Sequence, residues 1–150
     1  MKRNIAIVCG GDSSEHEVSI KSGKNLLSMI DQSIFDTTIV KIAKGKWVVE
    51  KENVEYPINK HDFSYTANNK TIHFDCAYIT IHGTPGENGI LQSYFELVGI
   101  PYTSCGVFES ALTFNKFACK AYLNEFGIKS AKAVLVRKGM TYYPHAITKK

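Results

Sequence analysis

The sequence predicts an α/β fold, an open and mostly parallel sheet with flanking helices of the Rossmann-like kind. Three observations predict it. β-Branched runs such as "NIAIVCG" (4–10), "FDTTIVKIA" (35–43) and "CAYITI" (76–81) alternate along the chain with longer runs of helical periodicity. Two of these β-runs open into glycine-rich loops, "CGGDSSE" and "HGTPGENG". Such sheets bind ligands in the crevice beyond the carboxyl ends of their strands, so the two loops are candidate walls of one crevice.

The elements follow in order. After the first strand, "SSEHEVSIKSGKNLLSMI" (13–30) reads as a helix: Ser14 and Glu17 have capping-box spacing, and Ile20, Gly23, Leu27 and Ile30 follow a helical stripe. Residues 35–43 form a second strand, and the turn at Lys44–Gly45 folds it into a hairpin with "KWVVE" (46–50). Residues 51–70 carry Pro57, Asn59, Asn68 and Asn69 and read as a polar, irregular excursion. "TIHFDCAYITIH" (71–82) gives one or two strands, broken at Asp75. "GILQSYFELVGI" (89–100) places Ile90, Leu91, Tyr94, Phe95 and Val98 on one helical face. A short extended "PYTS" (101–104) leads into 107–127, one long helix or two, closed by Gly127. "IKSAKAVLVRK" (128–138) reads as a further strand.

Composition narrows the function classes. The chain has 150 residues, 44% of them hydrophobic and 21% charged, in the range of a soluble globular domain. No apolar run is long enough to span a membrane, and the apolar start is too short for a signal-peptide core, so a cytoplasmic protein is expected. The four cysteines include no C-x-x-C pair; they read as reduced, mostly buried thiols rather than a zinc site. Residues 116–150 hold eight basic residues against one acidic, Glu125. That bias fits a solvated face or a phosphate-handling region. No RNA-binding signature or helix-turn-helix pattern accompanies it, so no nucleic-acid partner is expected.

Individual residues remain open at this level. "GGDSSE" lacks the third glycine of G-x-G-x-x-G and the GK[ST] of a P-loop. Glu15 reads either as an acid favourable to a helix start or as a carboxylate that holds a substrate ammonium. His82 reads as a structural histidine or, from its place at a strand end, as a ligand contact. Glu87 is a loop acid, a helix-start neighbour or a ligand contact. Lys116 is a solvated helix residue unless a phosphate comes near it.

Two stretches, "NIAIVCGGDSSEHEVSIKSG" and "HGTPGENGILQSYFELVGIPYTSCGVFESALTFNK", resemble the N-terminal part of the D-alanine–D-alanine ligases. The motifs that carry the resemblance are GG-x-S-x-E-x-x-V-S and HG-x-x-GE-x-G-x-x-Q, in that order and followed by PYT. The resemblance implies a substrate-binding pre-ATP-grasp domain over 1–105 and the start of an ATP-grasp central domain over 106–150. It implies an ADP-forming ligase of peptidoglycan synthesis: ATP phosphorylates the carboxylate of one D-alanine, and the amine of a second attacks the acylphosphate. Carried over by motif, Glu15 is the catalytic acid holding the first D-alanine's ammonium, Val18 lies beside it, His82 stands near that D-alanine's carboxylate, and Lys116 contacts ATP phosphate. The cofactors implied are ATP and Mg²⁺, with the magnesium-binding acids and most of the nucleotide site beyond Lys150; the chain alone is therefore expected to be inactive. A homodimer is also implied. Asn88, Ser93 and Ser104 depart from the usual pattern, away from the carried-over contacts. The alternatives are a D-alanine–D-lactate ligase and a non-catalytic Rossmann-type nucleotide-binding module.

Overall fold

The computed structural model describes residues 2–143. The chain forms two compact units, Met1–Ala111 and Leu112–Lys150. The sheet lies in the first. Its strands are β1 (Arg3–Gly10), β2 (Phe35–Ala43), β3 (Lys46–Lys51), β4 (Val54–Asn59), β5 (Ser64–Ala67), β6 (Lys70–Ile72), β7 (Cys76–Ile79) and β8 (Tyr102–Thr103). The helices are α1 (His16–Met29), α2 (Ile90–Val98), α3 (Val107–Phe114) and α4 (Lys116–Glu125). The strand order is β6-β5-β4-β3-β2-β1-β7-β8.

The open α/β sheet is found, with one correction to its direction. β1 pairs in parallel with β2 on one side and with β7 on the other, and β7 pairs in parallel with β8. The β2-to-β6 half is an antiparallel meander. The segment 51–70, expected to be irregular, supplies β4, β5 and the start of β6. Apart from the buried Ser64, most of its polar residues lie on exposed positions and in tight turns, where Glu52, Asn53, Asn68 and Asn69 take positive φ values of 52°, 63°, 51° and 59°. Three residues after β6 then return the chain to the far side of β1, with Asp75 as the break: its N–H donates to Asn4 O at 2.8 Å and its carboxylate accepts from Asn4 N at 2.7 Å.

The alternation within β1 sends its residues to two layers. Ile7 and Cys9 meet α1, where Gly23 brings the helix so close that an added Cβ would lie 3.1 Å from Cys9 Cβ. Ala6 and Val8 face the main core, which gathers Val40, Ile42, Val49, Phe63, Phe74, Leu91 and Phe95. Phe63 centres an aromatic cluster there, 4.9 Å from Phe95 and edge-on to it. α1 and α2 therefore cover opposite faces of the sheet. On α2, Leu91 and Phe95 are buried as the periodicity predicts, but Ile90 is exposed and Gln92 is fully buried.

Of the two readings open for 107–127, the structure has two helices, interrupted at Asn115, whose side chain caps α4 by accepting from Ala118 N at 3.0 Å. One further expectation is corrected. Residues 128–138 form no strand, because no described strand pairs with them. β-Propensity without a partner strand does not make a sheet.

Candidate functional site

β1 and β7 are adjacent and parallel, and the helices that follow them lie on opposite faces of the sheet. The loops leaving their carboxyl ends therefore part at a topological switch point, where open α/β sheets hold ligands. Short contacts join the two loops. Asp12 N donates to Thr84 O at 2.8 Å, and Ser13 Oγ donates to His82 O at 2.8 Å. Below them the buried Ser19 of α1 accepts from Gly10 N at 2.9 Å and donates to Thr80 O at 2.8 Å, stitching β1, α1 and the end of β7 together. Gly11 allows this approach: its φ is +93°, and a Cβ there would lie 2.5 Å from Ile81 Cγ2. The outer side of the β1 loop is anchored by Asp12 Oδ1, which accepts from Lys44 N, and by a hydrogen bond between His16 Nδ1 and Gly11 O at 2.9 Å.

The second loop is a compact turn. Gly86 N and Glu87 N both donate to Gly83 O, at 2.8 and 2.9 Å, and Glu87 Oε2 accepts from Gly83 N at 2.7 Å. Glu87 thus closes its own loop. Asn88 Oδ1 accepts from Ile90 N at 3.3 Å and helps to start α2. The Ser14–Glu17 capping box expected at α1 does not form; Glu15 is the N-cap, and its N–H donates to Ser13 Oγ at 3.2 Å.

Glu15 is exposed, and among the described residues no ion pair or hydrogen bond reaches its carboxylate. Val18, one helical turn on, is 54% exposed. Ser22 continues the same helix face and lines a cleft of ≈ 370 Å³ together with His82, Thr80, Gly86, Glu87 and Ser104. Ser22 and the half-buried His82 thus line one cleft, and Glu15 and Val18 stand on the helix face that leads to Ser22. Lys116 is the first residue of α4, exposed, and belongs to the second unit. Cys9, beneath the β1 loop, is a buried free thiol whose pKa burial pushes up to about 11, against the opposing pull of Lys41 and Lys24. It acts as an inert core residue. Residues missed from the sequence are Ser13, Ser19, Thr84 and Gln92. Their partners across the seam lie far away in sequence, apart from those of Gln92, whose place at the end of the HG-x-x-GE-x-G-x-x-Q motif was the one available hint.

The model of the D-ala D-ala ligase N-terminus matches residues 4–105. The chain belongs to this family. Its members include the D-alanine–D-alanine ligase of Phocaeicola vulgatus, 54% identical over 93% of this chain and 43% of the relative. That of Parabacteroides distasonis is 51% identical over 94% and 43%. The chain thus spans less than half the length of these relatives. Among solved structures, D-alanyl-alanine synthetase A of Vibrio cholerae superposes with a TM-score of 0.82 at 30% identity, over 99% of this chain and 44% of that one. The VanG D-Ala:D-Ser ligase of Enterococcus faecalis superposes with a TM-score of 0.75 at 27% identity, over 88% and 44%. No helix among the described residues is long and apolar enough to cross a membrane.

Proposed function

We propose that this chain carries the first-substrate wall of an ADP-forming D-alanine–D-alanine ligase of peptidoglycan synthesis. The observation that supports this reading best is the junction of the two strand-end loops at the switch point, where His82 and Ser22 line one cleft and Glu15 and Val18 lie on the helix face that leads to Ser22. Glu15 offers a carboxylate without a protein partner among the described residues, suited to the ammonium of the first D-alanine. A charged hydrogen bond of this kind is worth about 2 kcal/mol. His82, held by its own carbonyl to Ser13, lines the cleft, and its imidazole suits the carboxylate of the same D-alanine. Val18, exposed one turn along α1 from Glu15, offers an apolar side chain beside it.

ATP supplies the phosphoryl group that activates the carboxylate. Lys116 fits one phosphate contact: its ammonium is exposed at the N-terminus of an α-helix, where backbone N–H groups and the helix dipole favour an anion. Among the described residues, no three His, Cys, Asp or Glu side chains gather as a metal site. Mg²⁺, which the family resemblance also implies, would neutralise charge on the transferred phosphate, held by acids of the region of the relatives that this chain does not span. We assign 1–105 to the substrate domain and 106–150 to the opening of the ATP-grasp region. The ligase is expected to be cytoplasmic and to be a homodimer through its first unit.

Glu15→Gln in the full-length ligase tests this reading. The KM for D-alanine should rise about thirtyfold, which corresponds to about 2 kcal/mol, with the KM for ATP within about twofold. Equal loss of both overturns the role. The 150-residue chain by itself should release no phosphate from ATP in the presence of D-alanine. Competition between D-lactate and D-alanine in the full-length ligase identifies the second substrate, and binding of NAD to the chain would revive the Rossmann-module alternative.

A further inference from the structure

Gln92 is fully buried on α2, yet it is a polar residue on a helix face otherwise built from Leu91 and Phe95. Its Nε2 donates to Gly86 O at 2.6 Å and to Ser104 Oγ at 3.1 Å. A carbonyl oxygen can only accept, so the amide orientation is set by Gly86. That orientation leaves Oε1 buried without a partner. A buried acceptor in this condition costs stability, which an apolar side chain of similar shape would avoid only by leaving Gly86 O without this donor. Satisfying Gly86 O is one reason for an amide here, and its place in the fold calls for a second.

The two partners of the amide give one. Gly86 and Ser104 both line the cleft that His82 lines. Gly86 is also pressed against Ile81, the residue before His82: a Cβ on Gly86 would lie 2.6 Å from both Ile81 Cβ and Ile81 O. The amide thus spans from the middle of the His82 loop to the end of β8, across the floor of the cleft. We propose that Gln92 is a positioning residue for first-substrate binding. It fixes the separation between the His82 loop and Ser104, and through Gly86 and Ile81 it sets where the His82 imidazole stands. This inference rests on the ligase reading above.

The test uses the full-length ligase, with D-alanine and ATP titrated separately. Gln92→Met keeps the shape and removes the donor; it should raise the KM for D-alanine about tenfold while kcat and the KM for ATP stay within about twofold. Gln92→Glu adds a readout that a structural role would not move. Burial raises the pKa of a carboxyl group, and the neutral acid can donate to Gly86 O where the carboxylate cannot. Its excess in KM over wild type should therefore shrink as pH falls, while that of Gln92→Met stays flat. An unchanged KM for D-alanine in Gln92→Met, a parallel rise in both KM values, or a pH-independent excess in Gln92→Glu overturns the proposal. If the Gln92 variants do not fold, Ser104→Ala decides: a rise of about threefold in the KM for D-alanine supports it and no change overturns it. Wild-type enzyme that does not use D-alanine at all would instead overturn the ligase reading.

Discussion

Ser19→Ala measures how firmly the crevice is built. Ser19 is fully buried, and its hydroxyl is the one group joining Gly10 N to Thr80 O, at 2.9 and 2.8 Å. The methyl of alanine leaves the Gly10 N–H in the core without its acceptor and Thr80 O without that donor. An orphaned buried donor costs about 1–3 kcal/mol and the lost second bond about 1, so the variant should be destabilised by about 3 kcal/mol. For a unit of this size, that lowers Tm by roughly 10 °C. Urea and thermal unfolding of the 150-residue chain, followed by circular dichroism, read it directly. Ser28→Ala is the control: that hydroxyl bonds Asn25 O on the exposed side of the same helix, at 2.7 Å, and its loss should stay within about 0.5 kcal/mol. If Ser19→Ala falls within the same 0.5 kcal/mol or so, the stitch between β1, α1 and β7 is not what holds the loops.

Other outcomes follow from the same geometry. Gly11→Ala must both adopt a φ of +93° and displace Ile81, 2.5 Å away, so denaturant titration should show a loss of about 3 kcal/mol. Gly45→Ala has a φ of +79° and open space around it, so it isolates the backbone cost of about 1 kcal/mol; equal losses in the two would refute the steric account. Cys105, which is exposed, should react with a thiol reagent at pH 8 while Cys9 reacts only on unfolding. Because burial raises the Cys9 pKa from 9.0 to about 11, the folded form retains its proton longer than the unfolded one. The associated stability is complete below pH 9 and is lost as pH rises toward 11, which unfolding curves across that interval should show.

What could be read from the sequence was what local chemistry decides. Phe35–Ala43 alternates apolar and polar residues and is a strand over those limits. The places of Glu15 and His82 were legible because each stands directly at a glycine-rich strand end, while their roles came only from the resemblance. The β2–β3 hairpin was legible from its Lys44–Gly45 turn, but the rest of the meander was not, since its turns are made by Glu52–Asn53 and Asn68–Asn69 rather than by Asn-Gly, and β4 is exposed along most of its length. Residues 128–138 have the composition of a strand without a partner among the described ones. The Ser14–Glu17 spacing was a true local pattern overridden by tertiary structure: Ser13 turns to His82 O, 69 positions away, and draws the chain into a different helix start. Ser19 was likewise invisible, because its acceptor Thr80 lies 61 positions on.

The route of the chain through the sheet has a consequence for the order in which the molecule assembles. From β2 to β6 every pairing is with a sequence neighbour, so that half can form through short closures. The β1–β7 pairing must instead wait for a span such as the 71 positions between Asn4 and Asp75 to close. The crevice lies on that late seam. On contact order, its loops are therefore expected to gain protection from solvent exchange after the meander does, which pulsed hydrogen exchange during refolding would read.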